Sequence, residues 1–383
     1  MSTLGTPGTR GMPGSPGISR RGFLAASGLT LAGLASGGVG EALAGTTRGG
    51  AKKSPLVVYD WSYYQADYTG FNAYFKKYGV PKYVTFNTDQ AELAKAASGA
   101  VKYDLVHPCI AYIPDWQAAG LIKPIDTSRL KTFKGIDKNL MKPGIVGGKV
   151  YGLPWDWGYS TLMYRGDKFK PKEQSWESLL FDKRLRNKIT IYDEGVAVIK
   201  IGGLINGVDN PNRMTQAEID KAAQTMIKAK KNIASFWQSE TQAMQDFNSG
   251  KVWVTYAWPD TYAQVIQNKA MKGVPVTYMQ PKEGMLAWVC CFALGASPEN
   301  EELAYKYLDV AFSTPAMEFL VNAYYTGGAA MTKQVLAKAD PKFVKQFHLD
   351  ELKTALKPPR VWLEEHLPNR VAYLKAYQKV KSA

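Results

Sequence analysis

Two stretches decide the fold: Leu56-Val57-Val58-Tyr59-Asp60-Trp61-Ser62-Tyr63-Tyr64, and further on Tyr103-Asp104-Leu105-Val106-His107-Pro108-Cys109-Ile110-Ala111-Tyr112. Each is a short apolar run that breaks into a polar, aromatic loop. Between them lie a helical spacing from Tyr68 to Tyr78, an extended run from Pro81 to Phe86 and a second helical run from Gln90 to Ala97. After them, Ile110 to Ala119 reads as helical and stops at Gly120. Short strands alternating with helices imply an α/β protein built on parallel sheet. In such sheets ligands sit beyond the carboxyl ends of the strands. That rule draws attention to Asp60–Tyr64 and to His107–Tyr112.

The alternation continues down the chain. Tyr151-Gly152-Leu153-Pro154-Trp155-Asp156-Trp157-Gly158 is extended and punctuated by proline, and Thr161–Tyr164 reads as a strand. Lys188–Tyr192 is another strand, running into Asp193-Glu194-Gly195. Gln216–Ala229 and Gln238–Ser249 have helical spacing. Val252–Trp258, Gly273–Met279 and Trp288–Leu294 read as extended, Glu301–Phe312 as helical, and the C-terminal third as largely helical. No internal repeat is visible.

The N-terminus reads as an export signal. Ser19-Arg20-Arg21-Gly22-Phe23-Leu24 precedes a weakly apolar stretch, Phe23–Val39, which ends at the small-residue site Ala42-Leu43-Ala44 before Gly45. Paired arginines of this kind mark the twin-arginine route. A membrane anchor is the poorer reading, because the stretch is rich in glycine and shorter than the ~20 apolar residues of a span. No cysteine follows the cleavage site for lipidation. Residues 1–44 are therefore expected to be removed, and the mature chain to work in a Gram-negative periplasm. Without the leader the chain carries 45 basic and 32 acidic residues, a net charge of +13. The lysines are scattered and form no recognition motif, so a solvated basic surface is expected and not nucleic-acid binding.

Signatures of catalysis are missing. There is no Gly-x-Ser-x-Gly, no His-Glu-x-x-His, no complete phosphate loop and no dinucleotide glycine fingerprint. The histidines, His107, His348 and His366, show no ligand spacing. The chain is read as no enzyme, with no cofactor; a secreted hydrolase is the remote alternative. Three cysteines, Cys109, Cys290 and Cys291, are too few for a disulfide framework, and buried thiols are the ordinary expectation. Any single bridge would join Cys109 to one of the adjacent pair. The aromatic content points instead to binding: 10 Trp and 22 Tyr, several of them at strand-to-loop junctions. Those junctions hold Trp61, Tyr64, Tyr112, Trp155, Trp157, Trp258 and Trp288. Aromatic faces attract organic cations at ~0.5–2 kcal/mol each, although any one of these rings could equally be core.

These segments, together with Val254-Thr255-Tyr256-Ala257-Trp258, Pro281-Lys282-Glu283-Gly284 and Ala296-Ser297-Pro298-Glu299-Asn300, resemble the spermidine/putrescine-type solute-binding proteins of ABC importers. The resemblance runs from about Leu56 to the mid-330s. It implies a two-lobed periplasmic binding protein fold with hinge-linked parallel and mixed sheets. Lobe 1 would hold residues 55–155 plus 289–313, and lobe 2 residues 156–288 plus 314–383. A monomer would trap a small amine between the lobes and deliver it to an inner-membrane permease and its ATPase. Carried over one at a time, Trp61, Tyr64, Trp258 and Trp288 match aromatics that pack on a polyamine, and Glu194 matches a carboxylate that holds an amine. Ser62, Tyr112, Asp156, Trp157 and Asp260 complete the expected ligand set with Cys109 and Cys290. Four positions depart from the pattern, one being Ala111, where the family often has Tyr. Cys109 replaces a small hydroxyl residue, and Ala197 and Cys290 replace carboxylates. Asp156, Asp193 and Asp260 lie nearby as candidate replacements. Failing them, the ligand would carry one ammonium: an amino-acid derivative, a betaine-like cation or a zwitterion. A sugar, metal chelate or anion is more remote. A thiol-lined pocket, a metal site and a disulfide all remain open for Cys109 and Cys290.

Overall fold

The structure is a computed structural model that describes residues 53–62, 69–350 and 361–383. The expected leader, residues 1–44, lies outside them. In chain order the first strands are β1 (Lys53–Trp61), β2 (Val80–Phe86), β3 (Leu105–Val106) and β4 (Ile122–Lys123). A small hairpin, β5 (Ile145–Val146) and β6 (Lys149–Val150), leads into the long β7 (Gly152–Arg165). Then follow β8 (Ile189–Tyr192), β9 (Ile233–Trp237), β10 (Val254–Ala257), β11 (Val276–Tyr278) and the long β12 (Met285–Gly295). β13 (Gly327–Gly328) and β14 (Val361–Leu363) close the series. The helices used below are α1 (Asn72–Tyr78), α2 (Asp89–Ala97), α3 (Gly195–Ile205), α4 (Gln216–Ala229), α5 (Pro259–Ile266), α6 (Glu301–Ala311), α7 (Thr314–Phe319) and α8 (Arg370–Ser382).

The chain forms two compact α/β units. It passes from the first to the second inside β7, between Trp157 and Gly158, and returns inside β12, between Trp288 and Val289. The third passage follows Asp350.

In the first unit β1 runs parallel to β2 and β3, pairing Trp61 with Phe86 and Tyr59 with Val106. β12 closes the other edge of β3 antiparallel, Ala293 opposite Val106. Asp104, almost fully buried, explains why two distant sequence segments belong together. Its carboxylate accepts the Val57 N–H at 2.8 Å and the Asn300 N–H at 2.8 Å, joining β1 to the start of α6. Helix α2 begins where Thr88 accepts the Ala91 N–H, which satisfies one of the orphan donors of the first turn.

The second unit pairs β10 with β7 antiparallel and with β8 parallel, and β8 with β9 parallel. α4 has the bounds read from its spacing. Thr215 and Glu218 close a capping box at its start, and Ile219, Ala222, Ala223, Met226 and Ala229 line its buried face. The preceding helix, α3, is invisible to the same reasoning. Gly195-Val-Ala-Val-Ile-Lys-Ile-Gly-Gly-Leu-Ile is apolar all round and rich in β-branched residues and glycine, so neither period nor propensity announces a helix. It forms because it is buried against α4. Gly202 permits the approach, since a Cβ there would stand 2.4 Å from the Ala222 carbonyl oxygen.

Residues 314–350 differ from the sequence expectation, which assigns them to the second lobe; they belong to the first unit. β13 pairs with the first half of β7, Gly327 opposite Trp157 and Gly328 opposite Asp156. A Cβ on Gly70 would stand 2.7 Å from Ala316 Cα, which marks how closely α7 packs on that unit. The sequence offers a helix end near Phe312 as a boundary but no sign of the two-residue strand that ties the segment back. Gly327 has no room for a side chain: a Cβ would sit 2.0 Å from Trp157 Cε2. Gly327→Ala is therefore expected to lower unfolding stability by about 2 kcal/mol, in the range for overpacking. Urea unfolding checks this, and an unchanged midpoint would separate β13 from the Trp157 ring.

Candidate ligand-binding faces of the two units

The carboxyl ends of β1, β2 and β3 gather the polar groups of the first unit. Asp60, at the end of β1, accepts the Trp61 N–H at 2.8 Å and lies 2.8 Å from His107 Nδ1. On the other side of the ring, His107 Nε2 is 3.6 Å from Asp156 Oδ1 of β7. All three side chains are fully buried. Burial opposes a charged imidazole, but Asp60 and Asp156 outweigh it and lift the His107 pKa to about 9. Near pH 7 the cluster therefore holds an imidazolium between two aspartates. Phe292 stacks on the imidazole at 4.4 Å and Trp155 meets it edge-on at 5.1 Å.

Around this cluster, Trp61 packs on Phe86 with ring centroids 4.6 Å apart. The half-buried Ser62 donates to Asn87 Oδ1 at 2.6 Å. Gln90 Nε2, in the first turn of α2, donates to the Tyr112 hydroxyl at 3.1 Å, and Asp89 accepts the Cys109 N–H at 2.8 Å. Cys109 Sγ and Cys290 Sγ are 3.5 Å apart.

In the second unit the ends of β8, β9 and β10 bring four aromatics together. Trp258 meets Tyr192 at 5.1 Å, Trp237 at 5.6 Å and Tyr256 at 6.0 Å, each edge-on. Trp258 keeps part of its ring exposed. Glu194, whose charge acts on Tyr256 of this group, caps α3, its carboxylate accepting the N–H groups of Val196 at 3.1 Å and Ala197 at 2.6 Å. Lys200, one turn on, is buried. Burial pulls its ammonium pKa down, while Glu364 and Glu194 oppose that fall. Trp288 is half-buried and packs closely on Gly158, where a Cβ would stand 2.6 Å from the ring.

The family model described as bacterial extracellular solute-binding protein matches residues 71–351. The chain belongs to this family. Among its relatives, the putrescine-binding periplasmic protein PotF of Escherichia coli is 26% identical over 298 residues, 73% of this chain and 78% of the relative. Spermidine/putrescine-binding periplasmic protein 1 of Haemophilus influenzae is 27% identical over 281 residues, 71% of this chain and 74% of the relative. The fold is shared with a putative spermidine/putrescine ABC transporter protein of Listeria monocytogenes, with a TM-score of 0.72 at 18% identity over 85% of this chain and 98% of that one.

The structure divides the carried-over residues of this solute-binding protein into two sets. Trp61, Ser62, Cys109 and Tyr112 lie at or just after the strand ends of the first unit, and Glu194, Trp258 and Asp260 at those of the second; Cys290 and Trp288 are interior residues of β12, in the first and second unit respectively. Tyr64 lies outside the described residues. Trp157 has another use from the one expected: it is fully buried, and its Nε1–H donates to the Gly328 carbonyl at 3.3 Å, so the ring holds β13. Asp156 is committed to His107. Asp193 is committed too, accepting from the Tyr377 hydroxyl and from Lys381 at 2.8 Å. Burial resists its charge, but Lys381, Tyr377 and Gln238 hold its carboxyl below the usual range. Asp260, in the first turn of α5, accepts from Gln264 at 3.3 Å. Tyr192 and Trp237 were not singled out in the sequence. The signal that could have found them is position, since each ends a parallel strand.

His107 sets a pH dependence. Its folded pKa lies above the unfolded value, so the stability it contributes is complete below about pH 6.5 and is lost as pH rises through about 9. The loss should be on the order of 3 kcal/mol for a shift of this size. NMR titration of the imidazoles should place one of the three histidines near 9, and urea unfolding at pH 7 and pH 10 should show the fall. A His107 that titrates at or below 6.5 would refute the buried imidazolium.

Proposed function

We propose that this solute-binding protein is the periplasmic substrate-binding subunit of an ABC importer, and that its solute is an amine-type cation of the polyamine class. Putrescine and spermidine are the reference compounds. On this reading the chain leaves the cytoplasm by the twin-arginine route, acts as a monomer and hands its ligand to an inner-membrane permease driven by an ATPase. The observation that carries the ligand class is the Trp258 group. A partly exposed Trp258, backed edge-on by Tyr192, Trp237 and Tyr256, belongs to an aromatic group that feels the Glu194 charge through Tyr256. Aromatic faces and one acid are the surroundings that a desolvated ammonium needs. The polyamine-binding names of the relatives support the same class.

A second reading has its own observation. Ala197 and Cys290 stand where the resemblance implies carboxylates, and of the proposed replacements Asp156 serves His107 and Asp193 serves Tyr377 and Lys381. An ammonium without a counter-charge in a dry site is costly. This supply of acids favours a ligand with a single ammonium, such as a betaine-like cation or an amino-acid derivative.

Calorimetric titration of the purified chain against putrescine, spermidine, betaines and amino acids separates the two readings. Binding of a di- or triamine in preference to every mono-cation supports the polyamine reading; the reverse order supports the second. In either case Trp258→Ala should weaken binding about ten- to thirtyfold, the worth of one desolvated cation–aromatic contact. Glu194→Gln, which keeps an oxygen for the helix cap, should weaken binding of a cation and spare an anion. Undiminished affinity in both variants would sink the cation assignment.

A further inference from the structure

We propose that Cys109 and Cys290 form a disulfide in the exported protein and that Cys291 remains a thiol. Cys109 and Cys290 are partners in an isolated antiparallel bridge between the turn after β3 and the first-unit half of β12. The flanking hydrogen bond runs from the Cys291 N–H to the Pro108 carbonyl at 2.9 Å, and the Cys109 N–H goes to Asp89 instead of to Cys290. The two cysteines are thus a non-hydrogen-bonded antiparallel pair. Such pairs hold their Cα atoms ~4.5 Å apart, inside the ~4.4–6.8 Å span of disulfides. With the sulfurs already 3.5 Å apart, side-chain rotation alone brings them to bonding distance.

The same geometry excludes Cys291. Successive residues of a strand point to opposite faces. Cys291 Sγ turns toward the Pro108 carbonyl at 3.4 Å and the backbone of Gly152, where an added Cβ would meet it at 3.0 Å. It is fully buried.

A family that works outside the cytoplasm meets an oxidising environment, where paired thiols persist as disulfides. Closing the bond removes two protons and two electrons from the thiols. A disulfide of the compartment takes them up and is reduced to its dithiol. Cys109 and Cys290 are 8% and 5% exposed, so the bond closes as the chain folds and is then shielded from reductant. It fixes the turn that carries Tyr112 to the crossing strand that carries Trp288. It also leaves an uncharged, apolar surface where the resemblance implies a hydroxyl and a carboxylate.

A metal ion is the rival occupant, because donor atoms of His107, Asp156 and Cys290 lie within 4.8 Å of one another. Such an ion would take Cys290 as a thiolate ligand, so a metal and the disulfide exclude one another and the metal content of the protein distinguishes them.

The test uses the full chain, expressed with its own N-terminal segment and recovered from outside the cytoplasm. Maleimide labelling in denaturant should find one thiol before reduction and three after, with Cys109 and Cys290 in one cross-linked peptide. Reduction should lower Tm by about 5–10 °C in the parent and in Cys291→Ser, and leave Cys109→Ser and Cys290→Ser unmoved. Three thiols before reduction, a bridge to Cys291, or stoichiometric zinc in the unreduced protein would each overturn the proposal.

Discussion

The first unit is organised around one buried charge cluster. Asp60 lies at the end of β1, His107 follows β3 and Asp156 sits within β7, so the His107 ring held between Asp60 and Asp156 ties three strands together. Taking these charges out of water is expensive, and their mutual attraction repays it only when the partners are fixed. The fixing comes from aromatic walls, Phe292 stacked on the ring and Trp155 edge-on to it, and from the Trp61 N–H on Asp60. Trp155 is itself anchored, its indole N–H donating to the Ala311 carbonyl at 2.8 Å. Losing any member leaves an uncompensated buried charge next to the strand ends that carry Trp61 and Cys109.

The second constraint is close packing along β7. All fourteen of its residues are buried, as expected for a strand covered on both faces. Large rings and glycines alternate in its neighbourhood for a steric reason. The indole of Trp157 occupies the space a side chain on Gly327 would need, and Gly158 leaves room for Trp288. Trp157 and Trp288 therefore differ in use although both read as junction aromatics. The first is enclosed, and the second keeps a partly exposed face.

Chemical selectivity follows from how the acids are spent. Carboxylates are numerous near the strand ends, but most are already engaged. Asp60 and Asp156 hold His107, Asp89 holds the Cys109 backbone, and Asp193 holds the C-terminal helix α8 through Tyr377 and Lys381. Glu194 caps α3, its carboxylate accepting the Val196 and Ala197 N–H groups. Aromatic surface is abundant near these strand ends, and most of the acids there already hold structural partners.

The sequence by itself determined the α/β class, most strands and amphipathic helices, and the strand-end positions of Trp61, Cys109, Glu194 and Trp258. These follow from local periodicity and from the rule that loops after parallel strands carry ligands, and both are readable along the chain. It also limited any single bridge to Cys109 with one of the two adjacent cysteines. Only the tertiary structure places Cys290 opposite Cys109 and turns Cys291 away, because the alternation of β12 has a direction only once the strand is paired. The same holds for α3, a helix stabilised by burial without a period of its own, and for residues 314–350, assigned to the first unit by a two-residue strand. It holds most plainly for Asp156, Trp157 and Asp193. Their side-chain chemistry suits a ligand, but groups distant in sequence had already claimed them: His107, Gly328, and Tyr377 with Lys381. A linear sequence carries the residue types, while the partners that occupy them are set by long-range packing.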